Sequence, residues 1–264
     1  MGEATERLRR ILGKEMPVIS HAHYGDGLAI GRPPENTMPA FRQAIAEGAD
    51  VIETDVQVTS DGEFVLIHDG EVDRTTDSTG RLDRMTLVAV KKLSAFYGRK
   101  EFSSERIMTL GELVKILPAS IALLLEVKSD RFLEKEIARR FVAELDRLGI
   151  SERTALVSFS LDRILAIRSI DPAIPIGRIT HKPWKLDYIR PQKGVEMLGP
   201  AWYLLVFNPF YVRVAHQHGQ MVCPLDSQPE RRLWYYKLLG VDAVISNDLA
   251  RTLRAIGRTA RAQV

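Results

Sequence analysis

Residues 35–68 read ENTMPAFRQAIAEGADVIETDVQVTSDGEFVLIH, and this one stretch holds a helix, a strand and a chain reversal. Met38, Phe41, Ala44 and Ile45 recur at helical spacing, and Gly48 stops the run. VIETDVQV over 51–58 then alternates with the two-residue period of a strand. Asp61-Gly62 is a turn signal, and FVLIH over 64–68 is a second extended run. Upstream, MPVISHAH over 16–23 reads as a strand. Strand, helix and strand in that order imply parallel pairing.

The theme continues downstream. Thr109 caps a short helix reaching Leu117, and IALLLEVK over 121–128 is a strand. Further strands are expected at 155–159, 174–179, 204–208, 221–225 and 243–246. Helices are expected at 132–148, 161–170, 211–218, 229–239 and 249–256, several of them closed by glycine. About eight strands, each followed by a helix, predict an α/β fold: a single (β/α)8 TIM barrel over residues 1–264. An open doubly wound sheet is the alternative, but no Gly-rich dinucleotide turn follows the first strand.

The bulk properties fit one such domain. The chain has 264 residues and a formal charge of +3, from 37 basic and 34 acidic residues. Basic residues are spread along the chain and their runs are no longer than pairs such as Arg9-Arg10 and Arg139-Arg140, which argues against a nucleic-acid partner. The single cysteine, Cys223, excludes an internal disulfide and a cysteine-rich metal site. Residues 1–15 have amphipathic spacing at Leu8, Ile11 and Leu12, so a short N-terminal helix is expected rather than a signal peptide. Glu6 stands where a myristoylation motif wants Ser or Thr. No apolar stretch reaches spanning length, so the expectation is a cytoplasmic protein without stable membrane association. The oligomeric state is left open.

Active sites of such barrels lie at the C-terminal ends of the strands, and polar residues gather there in this sequence. His21 and His23 end the first strand, Glu53 and Asp55 lie in the second, His68 and Asp69 end the next, and Glu126 and Lys128 end IALLLEVK. Glu53 and Asp55, two residues apart, point to one side of their strand. With Glu126 they form a three-oxygen set suited to Mg2+ or Ca2+. The competing reading is a set of structural ion pairs with Lys128 and a nearby arginine. Two histidines at the same rim can exchange protons near neutral pH.

These residues, in this order, resemble the glycerophosphodiester phosphodiesterase family. The segments are ISHAHYG, PPENTMPAFRQAIAEGADVIETDVQVTSDGEFVLIHD, DRTTDSTGRL, MTLGELVKIL, LLLEVK, LVSFS and GVDAVISND, covering residues 17 to 248. The resemblance implies a TIM barrel with one divalent cation held by Glu53, Asp55 and Glu126. It implies His21 and His68 as the acid and base, Lys128 on the phosphate, and Glu35 as a carboxylate buttressing the site beside the first histidine. A small-molecule phosphodiester is the implied substrate, and in relatives the hydroxyl beside the ester can attack phosphorus.

Two departures stand out. The family reads His-Arg-Gly after the first strand, whereas this chain reads His21-Ala22-His23, so a bidentate phosphate clamp is missing from its usual place. Arg32 or His23 is the candidate replacement. Near the C-terminus, Cys223-Pro224-Leu225-Asp226 stands where the family has Trp-Thr-Val-Asn, which should open space at the rim. With the aromatic residues of 202–203 and 207–211, this suggests a sugar-bearing phosphodiester, such as an opine of the agrocinopine kind. The competing functions are a phospholipase-D-like lyase on lipid headgroups and a degenerate barrel that only binds phosphodiesters.

Overall fold

The computed structural model describes residues 2–13, 16–21, 32–180 and 194–258. Among the described residues there are ten strands: β1 (Val18–His21), β2 (Val51–Val58), β3 (Phe64–Leu66), β4 (Met108–Thr109), β5 (Ala122–Val127), β6 (Thr154–Ser158), β7 (Ile176–Thr180), β8 (Met197–Pro200), β9 (Met221–Val222) and β10 (Val244–Ser246). Eight of them pair in parallel in the order β10-β1-β2-β5-β6-β7-β8-β9. Asp242 and Ala243, which lead into β10, donate to the carbonyl of Val222 in β9, so the ring closes. This is the (β/α)8 barrel, its eight parallel strands closed into a ring.

Strands β3 and β4 are not staves of the barrel. β3 folds back antiparallel on the far end of β2, and β4 pairs with β3. The intervening segment, residues 67–107, forms a small lobe with its own core of Val72, Leu82, Val90 and Ile107.

The helices are α1 (Glu3–Leu12), α2 (Met38–Glu47), α3 (Leu87–Val90), α4 (Leu110–Ile116), α5 (Lys135–Arg147), α6 (Leu161–Arg168), α7 (Trp202–Phe207), α8 (Tyr211–Gln217), α9 (Leu233–Leu239) and α10 (Leu249–Ala255). α4 opens with the expected threonine: Thr109 and Glu112 form a reciprocal capping box. α1 closes the N-terminal end of the barrel. Its Leu8 and Leu12 are buried against Ile19, Val51, Ala155 and Ala243 of the barrel interior. Buried Arg7 fixes the helix there through Glu152 at 2.5 Å and Asp171 at 3.4 Å.

One expected strand is a helix. Residues 204–207 belong to α7 and Asn208 caps it, and the stave lies earlier, at β8. A short apolar run such as WYLLVF cannot be told from a strand by periodicity, while Gly199 and Pro200 disguise the real strand as a loop. Among the described residues, no helix is long and apolar enough to cross a membrane.

Candidate active site

Alternation along β2 creates the centre of the site. Ile52, Val56 and Val58 face outward into the main core between sheet and helices. Glu53, Asp55 and Gln57 therefore face inward. The same rule on β5 sends Leu123, Leu125 and Val127 outward and Glu126 inward. Register then brings the acids together: Asp55 is the direct partner of Glu126, and Glu53 that of His21. One oxygen from each of Glu53, Asp55 and Glu126 lies within 4.8 Å of the others, and all three residues are buried.

Such a cluster needs positive charge. Burial, then Asp55 and Glu126, push the Glu53 carboxyl well above its ordinary range, with Lys128 opposing them. Lys128 Nζ lies 2.8 Å from Glu126 and 3.3 Å from Asp55. Burial works against its ammonium, but the carboxylates outweigh it and raise its pKa. One lysine does not balance three carboxylates. Glu53 Oε2, moreover, is buried and accepts no hydrogen bond among the described residues, although His21 Nε2 lies 3.3 Å away. Three converging carboxylates are the donor set of a hard divalent cation, and the residues fit one.

His21 stands beside the acids, and His68 lines a cleft together with Lys128. His21 Nδ1 lies 2.8 Å from Asn247 Oδ1 beyond β10, which turns Nε2 towards Glu53. His68 lies just past β3, with Nδ1 2.6 Å from Asp69 Oδ1. A cleft of about 610 Å3 opens outward from His68 and Lys128, lined by Gln57, Asp69, Arg74, Arg81 and Ser129 among others.

The remaining candidates are distributed differently. The buried carboxylate of Glu35 takes both terminal nitrogens of Arg74, at 2.6 and 2.9 Å. Arg32 holds the loop after β10, through the Asn247 carbonyl and Asp248 Oδ2 at 2.8 Å. His23 lies outside the described residues. The space at Cys223 is small: about 40 Å3, bounded by His21, Glu53, Glu126, Met197 and Leu225. That volume takes a water or a methyl group and not a sugar ring. Of the aromatic residues, Trp202 lies under Arg232 at 3.6 Å, Tyr211 is core, and Phe207 and Phe210 are exposed.

Four residues of the site were not assigned a role from sequence: Asn36, Asp69, Arg74 and Asn247. Asn36 adopts a left-handed φ of 53°, accepts from Thr54 at 2.7 Å and donates to Asp55 Oδ2 at 3.1 Å. Asn tolerates that conformation better than most residues, which explains an asparagine in PENT.

Comparison with known proteins agrees with this geometry. The model of the glycerophosphoryl diester phosphodiesterase family matches residues 23–251. The chain belongs to this family. It is thereby a phosphoric diester hydrolase. A glycerophosphodiester phosphodiesterase of Caldanaerobacter subterraneus is 31% identical over 240 residues, covering 88% of this chain and 95% of that one. Mouse glycerophosphodiester phosphodiesterase 1 is 37% identical over 159 residues, 59% of this chain and 47% of the mouse protein. Among solved structures, an Oleispira antarctica phosphodiesterase in complex with the product sn-glycerol-3-phosphate superposes with a TM-score of 0.78 at 23% identity, covering 94% of this chain and 99% of that one. The Thermotoga maritima glycerophosphodiester phosphodiesterase gives 0.70 at 19% identity, with 93% and 99% covered. These likenesses establish the barrel.

Proposed function

We propose that this protein hydrolyses a small glycerol- or sugar-phosphodiester to a phosphomonoester and an alcohol. The observation that carries the proposal is the convergence of three buried carboxylates, a lysine and two histidines on one strand-end face. Glu53, Asp55 and Glu126 would hold one Mg2+ or Ca2+, which when bound supplies positive charge for the phosphoryl oxygens.

The chain's own groups divide the rest. Lys128 directs its ammonium to a non-bridging phosphoryl oxygen and offsets the charge that develops there. One histidine takes the proton of the substrate hydroxyl beside the ester as it attacks phosphorus, and the other delivers a proton to the departing alkoxide. Water then opens the resulting cyclic phosphate, giving its proton to the second histidine while the first protonates the released ring oxygen, which leaves the phosphomonoester. His21 ends β1 and His68 follows β3, so the two histidines come to the site from different elements. The cleft beyond His68 and Lys128, within the usual range for small-molecule pockets, receives one alcohol of the diester. Arg32 and His23 remain candidates for the contact that the missing arginine would make. For Arg32 this requires loosening its hold on Asp248.

The experiment is turnover of glycerophosphocholine, glycerophosphoethanolamine, a sugar phosphodiester and lysophosphatidylcholine, with Mg2+, with Ca2+ and with EDTA. Metal-restored, EDTA-sensitive turnover supports the proposal, and no turnover by folded, metal-loaded protein overturns it.

A second reading has one observation in its favour. Val206, Phe207 and Phe210, in and after α7, are 53%, 82% and 67% exposed. An apolar lip of this kind suits a lipid-headgroup substrate. Preference for lysophosphatidylcholine, with co-sedimentation on phosphatidylcholine vesicles, would favour that reading.

A further inference from the structure

Arg74 belongs to the small lobe between β3 and β4, yet its guanidinium reaches two segments of the active site. Nε donates to Asp69 Oδ2 at 2.5 Å, and the two terminal nitrogens clasp both oxygens of Glu35. Its face lies 5.5 Å from the ring of Tyr97, whose hydroxyl accepts from it at 3.4 Å. Each carboxylate is adjacent in sequence to a residue of the site. Asp69 follows and bonds His68, and Glu35 precedes Asn36, which donates to Asp55. One planar fork thus joins the histidine arm to the carboxylate arm, a contact that a point-charge lysine could not reproduce.

We propose that Arg74 is a positioning residue for His68: through Asp69 it keeps the imidazole proton on Nδ1, and through Glu35 it ties that ring to the loop orienting Asp55. The inference rests on the functional reading above, since it concerns how His68 is prepared to transfer a proton. Its chemistry follows from the contacts. An ionised carboxylate only accepts hydrogen bonds, so Asp69 requires the proton on Nδ1 of His68. Nε2 is then the nitrogen that exchanges a proton with the substrate. Although burial works the other way, hydrogen bonds from Arg74 and His68 hold Asp69 below its ordinary pKa, which keeps it ionised. Without Arg74, Asp69 can turn away and the ring can adopt either tautomer.

The test is made on the full chain with 15N-labelled histidine, the His68 signal being assigned from its loss in His68→Ala. In the unaltered protein, long-range nitrogen–proton correlation should show neutral His68 protonated on Nδ1. In Arg74→Gln and Asp69→Asn the proton should redistribute to Nε2. In the same variants kcat should fall roughly 10- to 100-fold, with KM within about threefold, as for other groups that act through a neighbour. The double variant should fall no further than the worse single one, because the two residues act in series. Arg74→Lys, which keeps charge without the fork, should be intermediate, and it carries the same readouts if Arg74→Gln does not fold. An unchanged His68 tautomer, or losses that multiply in the double variant, overturns the proposal. Lack of turnover by the unaltered protein would defeat the functional reading, while the tautomer measurement would still decide the role of Arg74.

Discussion

Asp55 and Glu126 are direct partners in the parallel β2–β5 ladder, so their carboxylates are held side by side on the inner face of the barrel. A ladder pair cannot drift apart, as two surface acids can. The repulsion between them is therefore built into the fold, and several consequences can be measured.

Glu53→Gln replaces a buried carboxylate by a neutral group of the same shape. In EDTA the variant should melt higher than the unaltered protein, because repulsion with Asp55 and Glu126 is relieved. Adding Mg2+ or Ca2+ should reverse the order, since only the unaltered protein gains binding free energy from the ion. Turnover should fall by at least roughly 100-fold. Differential scanning calorimetry with and without metal checks the first two outcomes, and a crossover that fails to appear refutes the assignment of this cluster.

Asn36→Ala should weaken both metal binding and the fold. The change removes the donor to Asp55 Oδ2 and the acceptor for the buried Thr54 hydroxyl. Leaving buried polar groups short of a partner costs about 1–3 kcal/mol. Metal affinity should drop roughly 10- to 100-fold, measured by titration calorimetry. An affinity equal to that of the unaltered protein would show that Asn36 serves the loop alone.

Leu8→Ala tests the plug at the bottom of the barrel. Leu8 is 1% exposed and packs inside the strand ring. Truncating such a residue costs about 2–5 kcal/mol. Denaturant unfolding should show the loss. The metal affinity should be unchanged, because the acids sit at the opposite end of the strands.

Glu112 makes part of the stability depend on pH. Burial works against its ionisation, but Lys91, 2.7 Å away, outweighs burial and holds the pKa below the ordinary 4.5. A carboxyl depressed in the folded state stabilises above its unfolded pKa, and that contribution is lost as pH falls through the folded value. The melting-temperature advantage of the unaltered protein over Glu112→Gln should be full near neutrality and should shrink below about pH 4.5. An advantage that is flat from about pH 7 to about pH 3 would contradict the ion pair with Lys91.

Much of the architecture was legible in the chain because the relevant signals are local. The two-residue alternation of VIETDVQV decided which residues face inward, and helical spacing with glycine stops marked α2 and α5. Where local signals conflicted, the reading failed. Residues 204–208 had the apolarity of a strand and mostly form α7; FVLIH is extended as read, but its antiparallel pairing outside the barrel was set by the tertiary fold.

The site divides along the same line. The inward acids, the histidines at strand ends and the family could be read from the chain alone, because each depends on residue type and on spacing within one element. That Glu35 pairs with Arg74, that Arg32 grips Asp248 and that Asn247 orients His21 became visible only in three dimensions. Those contacts join segments far apart in the chain, where no period relates one residue to the other. They form only when the barrel closes and brings the loop before α2, the lobe after β3 and the turn after β10 to the same rim.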